Sequence, residues 1–441
     1  MEKGFGGLLE NETDETTGSL DFYAGVKYEN SVVSGTIETF KPLSGTVAPF
    51  QFQMTDRGRG SYIDLARSRL YMELQVVTDK GKPVTTDLDY SIVNDIGNAL
   101  WSTVQFELAD RACSELTQEE YNYHSLIQKL LSYSSTSVAG HLKASRFHVD
   151  TANNYDKVEQ RQNEGYDQRK KFCEESNVFQ VIGPLCAGFC QMSRYLPASL
   201  RPQITLVRAS SDDFVILHKG DAKLKIVVKA AELLVPYITI SDTMQNRIES
   251  SLMKQPMIFP FTKTIIKTKQ IPTGNLSAEI ENLFTGLLPT SIIVGMVRAD
   301  SRSGRSELNP FRFQPFNVGE VSLYANGVQY PRGAFTPSFD EKMYMKEYLA
   351  LFDNTGIGSE DDTNLITTQQ FEDGMTLFAF DLSPDGCNLY HNHSPPLEGN
   401  IELKIKFKSA LAQPITVFVF GNIQSALSVD KNNKTVVLTG I

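Results

Sequence analysis

Two stretches of this chain, half a chain apart, follow the same plan: a hairpin that runs into an amphipathic helix. The first passes through Phe106–Asp110 to a helix opening at Thr117-Gln-Glu-Glu120, and the second through Val321–Val328 to Ser338-Phe-Asp-Glu341. Each opening has the form of a capping box, in which a hydroxyl accepts from the N3 amide and a Glu reaches back to the cap residue's amide. With position 117 set on 338, an offset of 221, Tyr123 falls on Tyr344, Ile127 on Tyr348, Leu130 on Leu351 and Leu131 on Phe352. These are the i, i+4, i+7 and i+8 positions of one apolar helix face. The spacing predicts a domain duplicated within one polypeptide, and packing explains its pattern without a catalytic centre.

Outside these helices the dominant period is two. Leu70, Met72, Leu74 and Val76 alternate with polar or amphipathic neighbours; so do Leu224, Ile226 and Val228, and again Ile401, Leu403, Ile405 and Phe407. Each series reads as a strand with one face on a core and one in water. Pro414–Phe420 is apolar on both faces, as a central strand would be, and Asn326-Gly327 is a favoured two-residue hairpin turn. Ala278–Phe284 admits a further short helix, and Gly356 fits the stop of the second capped helix. Strands do not alternate regularly with helices, which disfavours a parallel sheet. An all-β pair of antiparallel sandwiches in tandem, with short inserted helices, is expected. Residues 1–30, acidic and Gly-rich, read as a mobile arm that could order against a neighbouring subunit. The polar break His218-Lys-Gly-Asp221 sets the units at 31–218 and 219–441. Polar loops at Asn153–Gly165, Ala299–Glu307 and Gly356–Asn364 read as surface excursions.

At 441 residues the chain exceeds one ordinary core. A net charge of −10 argues against wholesale wrapping of nucleic acid and leaves at most weak local contact. Five irregularly spaced cysteines suit reduced thiols rather than a disulfide framework. No apolar h-region follows Met1, and the longest apolar run, Ala230–Ile240, is broken by Glu232 and Pro236, so neither a secretory signal nor a membrane span is expected.

Candidate chemistry is sparse. Cys387, His391 and His393 lie close enough to suggest a metal, yet a fourth ligand is not obvious and the segment reads as a polar loop. Cys186 and Cys190 lack C-x-x-C spacing and read as buried small side chains, and Glu360-Asp-Asp362 lacks the spacing of a calcium loop. Gly58-Arg-Gly60 reads as a turn, and Gly356-Ile-Gly358 is too short for a phosphate loop. Lys404, Lys406 and Lys408 form one strand face, either solvated or set against DNA or an acidic neighbour. No nucleophile motif is present, and no catalytic, cofactor or metal residue is assigned.

Several segments in order carry a family resemblance. In the first half these are Tyr62–Leu65 running into Leu70–Val77, Tyr121–Tyr123 with Leu130–Tyr133, and Arg194–Pro197 with Ile204–Arg208. In the second they are Gly274–Ser277 with Glu281–Phe284, Asn309-Pro-Phe-Arg-Phe313, Leu323–Gly327 and Thr376–Pro384. Together they resemble the major capsid proteins of Maverick/Polinton elements and adintoviruses. That resemblance implies a hexon-like double jelly roll, two eight-stranded sandwiches side by side. It implies a homotrimeric, pseudo-hexameric capsomer in the icosahedral capsid of a double-stranded-DNA virus or element, assembled inside the host cell with neighbouring capsomers, penton and minor capsid proteins. It implies a structural protein, not an enzyme, with no cofactor. Rival readings are another jelly-roll virion component (penton or spike), a jelly-roll carbohydrate-binding protein or glycosidase, and a cupin-like metal enzyme. The first half departs at Ala109-Asp-Arg111, where an Asn-Gly-like turn is expected.

Overall fold

The computed structural model describes residues 30–85, 88–158, 161–209, 211–357, 363–383 and 397–439. All but the last residue of the expected arm therefore lies outside the description. The principal strands of the first half are β1 (Val32–Phe40), β2 (Phe50–Gln53), β3 (Arg69–Thr78), β4 (Trp101–Leu108), β5 (Arg111–Ala112), β6 (Phe179–Gly183), β7 (Gln203–Arg208) and β8 (Leu224–Ile240). Those of the second are β9 (Met257–Ile271), β10 (Ser277–Leu287), β11 (Ser291–Arg298), β12 (Val318–Ala325), β13 (Val328–Phe335), β14 (Leu377–Asp381), β15 (Glu398–Phe407) and β16 (Ile415–Val429).

The first half forms sheets ordered β1-β8-β3-β6 and β2-β7-β4-β5. The second forms β9-β16-β11-β14 and β10-β15-β12-β13. Counted from its own first strand, each half reads 1-8-3-6 and 2-7-4-5, and every ladder is antiparallel. This shared winding is the eight-stranded jelly roll, present twice.

The period-two strands bury the faces their sequence marks. Leu70, Met72, Leu74 and Val76 are buried, as are Ile401, Leu403, Ile405 and Phe407. Strand β8 adds a detail that simple alternation misses. It buries Leu224, Ile226 and Val228, then changes parity to Ala231, Leu233 and Val235. A bulge between Val228 and Ala230 inserts one residue and keeps the apolar face inward.

Helix α1 (Tyr121–Ser132) lies in the β5–β6 connection, followed by α2 (Glu164–Cys173); α3 (Asp242–Leu252) joins the halves, and α4 (Met345–Asp353) lies in the β13–β14 connection. Both helices of the repeat exist, but neither capping box does. Gln118-Glu119 is extended and paired to Thr103-Val104, so α1 starts later, behind a left-handed Glu120 with no side-chain cap. The Ser338 hydroxyl donates to Glu341 Oε2 at 2.9 Å while its backbone bridges Met343, and α4 starts only after Tyr344. In both places tertiary pairing overrides the local signal. Gly356, at φ 81°, does follow the end of α4 as its stop signal suggested.

Three further expectations change. Ala278–Phe284 is strand, not helix, because it lies in the β10–β15 ladder with a bulge between Ile280 and Phe284. The break at His218–Asp221 is not where the halves part: β8 pairs with β1 and β3, so the first sandwich runs to Ile240 and the crossing is α3. Loops 153–165 and 299–307 are not surface excursions, since Tyr155, Val158, Asn163 and Ser301 are buried. The Ala109-Asp110 turn keeps the geometry of its counterpart, with φ 50° and 59° against 52° and 76° at Asn326-Gly327. Both loops join directly paired strand ends, so hairpin twist imposes positive φ even on alanine.

Candidate assembly surfaces

The two sandwiches meet in a buried seam. Helix α1 supplies the main apolar plug. Tyr123 is fully buried, with its ring 4.2 Å from Phe418, 5.3 Å from Phe311 and 6.3 Å from Phe313, all in the second half. Its hydroxyl donates to the Pro310 carbonyl at 3.2 Å. Lower on the seam, Phe189 sits edge-on between Phe106 and Phe261. Gly188 lies so close to Thr262 that a Cβ would stand 1.9 Å from its carbonyl oxygen. Buried apolar side chains of both halves form one connected cluster.

Polar groups fix the register of this seam. Arg312 contacts Asp156 of the first half and Asp373 of the second, and Arg302 contacts Glu120. Asp150, fully buried, accepts from Arg169 at 2.6 Å and from Asn309 of the second half at 3.2 Å. The Gln370 amide donates to the Asp150 carbonyl at 2.7 Å. Backbone bonds also cross: Leu365 N to Leu130 O at 2.9 Å and His218 N to Ser306 O at 2.9 Å. Buried carboxylates with several donors persist because desolvation is offset only by such networks. A second buried pair, Lys129 with Asp95, holds α1 to its own sandwich beside Asn98.

Among the described residues, other surfaces carry exposed apolar side chains. Strand β1 is the edge of its sheet and exposes Val33 and Ile37. The segment around α4 exposes Met343, Met345 and Leu349.

Among the described residues the chemical candidates do not converge. Cys387, His391, His393 and Glu360–Asp362 lie outside the described residues. Cys186 and Cys190 are buried; burial pushes the Cys186 thiol up to about 11, far from a reactive thiolate. The lysine row is matched from within the protein: Lys404 pairs with Glu279, Lys406 with Glu320 at 2.7 Å, and Lys408 donates to Ser338 Oγ at 2.6 Å. Arg59, in the Gly58–Gly60 turn, holds Glu249 of α3 at 2.9 Å and so ties the connector to the first sandwich. Trp101 is buried against Phe50 and donates to Gly97 O at 3.0 Å, so it offers no sugar-stacking platform. Among the described residues no group of three or more His, Cys, Asp or Glu could hold a metal, and no helix is long and apolar enough to cross a membrane.

Sequence reasoning marked Tyr123 as part of a packing face but missed Asp150, Asp156, Gln370 and Asp373. Asp150, Asp156 and Gln370 meet their partners across the seam more than 150 residues away, and Asp373 meets Arg312 61 residues away, distances that no local pattern reports. The run Asn309–Phe313 is visible as a motif, and it forms part of the second half's contribution to the seam.

No family model matches the chain. A curated relative, Uncharacterized protein F54H12.2 of Caenorhabditis elegans, is 22% identical over 389 residues, covering 85% of this chain and 89% of that one. Among solved structures, a chain of the Sputnik virophage aligns with a TM-score of 0.62 at 10% identity, over 97% of this chain and 92% of its own. A chain of the PBCV-1 virus capsid aligns at 0.56 and 10% identity, over 94% and 99%. The fold is the double jelly roll. The mavirus major capsid protein shares it at a TM-score of 0.51 and 9% identity, over 95% and 92%. These likenesses extend over both sandwiches.

Proposed function

We propose that this chain is the major capsid protein of an icosahedral double-stranded-DNA virus or virus-like element, of the Maverick/Polinton and adintovirus kind. It acts as a structural protein and not as an enzyme. The observation that carries the reading is the pair of identically wound sandwiches, a fold shared across nearly the full length of viral capsid chains; in this chain a buried seam locks the pair. Three copies would place six similar towers around a threefold axis, so that one homotrimer fills a near-hexagonal position. Contacts of this kind are heterologous and close into a ring. Interfaces within the trimer would be large and apolar; those to neighbouring capsomers, penton and minor capsid proteins smaller and more polar. The protein would reside in the virion shell, assembled inside the host cell, with at most weak contact to packaged DNA.

Negative-stain microscopy beside a mass measurement of the purified chain tests this. The expected result is a three-chain particle of hexagonal outline. A stable monomer or dimer that binds glycans would favour the carbohydrate-binding alternative and overturn the proposal.

A further inference from the structure

Helix α3 joins the two sandwiches and leaves an apolar stripe open. Met244, Ile248 and Leu252 recur at every fourth position, as on the inward face of an amphipathic helix. Yet no residue of α3 is buried. Together with Tyr195 of the first half and Ile258 of β9, the stripe lines a groove of about 580 Å³. That is the size of a site that holds a ligand or a short segment of chain.

The charge of the groove is one-sided. Arg194 and Arg247 line it, and no carboxylate does. Arg194 gives one of its donors to the Ile258 carbonyl. The Arg247 guanidinium has no hydrogen-bond or ion-pair partner among the described residues. Glu249, two positions further on, is already held by Arg59. Guanidiniums beside an apolar floor select a carboxylate flanked by bulky apolar groups.

The chain carries such a segment close to the groove. Ser241, the cap of α3, donates its backbone amide to the Ser31 carbonyl at 2.8 Å, so the N-terminal residues leave the body where α3 begins. Residues 1–29 hold seven acids against two lysines. Within them, Leu20-Asp-Phe-Tyr23 sets one carboxylate among three bulky side chains. The eight steps from Tyr23 to Ser31 reach up to about 26 Å when extended. The 11 residues of α3 measure only about 16 Å. The tether therefore serves the whole length of the helix in its own chain.

We propose that Leu20–Tyr23 seats in the α3 groove of the same chain. Successive side chains of an extended segment point to opposite sides. Leu20 and Phe22 then cover the stripe of Met244, Ile248 and Leu252, while Asp21 meets Arg247 and Arg194. The contact ties the N-terminal segment to the connector between the sandwiches. It concerns the single chain and stands apart from the capsomer reading.

The test places an indole in the segment of the full-length chain by Phe22→Trp; Trp101 is buried and adds a constant background. A short tether gives an effective concentration on the order of millimolar, so an intrinsic dissociation constant of about 0.1 mM keeps about nine-tenths of the chains closed. The new indole is expected to emit at shorter wavelength and to resist acrylamide quenching several-fold better than in a free peptide of residues 16–29 bearing the same change. Adding Arg247→Glu should release it. A further Asp21→Lys should restore the protection, because the pair returns with its charges reversed. Dichroism should stay constant throughout, since Arg247 is exposed. An indole quenched as readily as in the free peptide would overturn the proposal. So would protection that survives Arg247→Glu combined with Ile248→Asp, which would put the segment elsewhere. Protection that fades on dilution would give the groove to a second copy's segment and overturn the same-chain assignment. The homotrimer is tested separately by its mass and stands or falls independently.

Discussion

Removing the Tyr123 ring should uncouple the two sandwiches, and the size of the effect follows from its surroundings. The side chain is fully buried, with three second-half rings and Phe214 of its own half within 6.3 Å. Truncating a buried aromatic ring to alanine costs about 3–5 kcal/mol. Losing only the hydroxyl, which leaves the Pro310 carbonyl without its donor, costs about 1 kcal/mol. Tyr123→Ala and Tyr123→Phe therefore separate apolar packing from hydrogen bonding at one position. Trp101, the single tryptophan, is buried in the first sandwich and reports on that half alone. Far-UV dichroism reports on the strands of both halves. In urea at fixed chain concentration, the two signals should coincide for the wild type, because one connected core spans the seam. Tyr123→Ala should lower the midpoint by the larger amount and split the signals, with one sandwich unfolding first. Tyr123→Phe should shift the midpoint slightly and keep them together. A Tyr123→Ala loss below about 1 kcal/mol, or wild-type signals that already separate, would refute the claim that this ring holds the halves together.

Three other perturbations have a stated sign. Burial holds the His124 imidazole down at about 4 against an ordinary 6.5, and its Nε2 has no hydrogen-bond partner among the described residues. The unfolded chain therefore takes up that proton first: stability is full above the unfolded value and is lost as pH falls toward the folded one, by about 2 kcal/mol at pH 5. His124→Gln should flatten part of that loss in a pH series of urea midpoints, and an unchanged acid slope would count against it. Gly188→Ala should destabilise by about 3 kcal/mol, because the new methyl group meets the Thr262 carbonyl across the seam; a melting temperature equal to wild type would contradict this. Ala109→Gly should stabilise by about 1 kcal/mol by relieving a left-handed alanine, and chemical denaturation reads the gain directly.

Much of the fold was legible in local pattern. Period-two series such as Leu70–Val76 and Ile401–Phe407 announced strands, because alternate side chains face opposite sides of any pleated sheet. The offset of 221 between the inserts announced duplication. What misled was also local. The Thr117 and Ser338 boxes are sound helix starts in isolation, and strand pairing displaced both. The His218–Asp221 break looked like a linker, yet β8 beyond it completes the first sheet.

The chain's own residues settled what could be settled over a few turns: element type, buried faces, the hairpin turn, and the existence of two similar units. Tertiary structure alone decided which strand closes each sheet, how Asp150, Arg312 and Gln370 bind the halves together, and which of two like inserts is buried. Periodicity reports the immediate surroundings of a side chain. Partners brought together across more than a hundred residues leave no such trace, since their meeting depends on the winding of everything between.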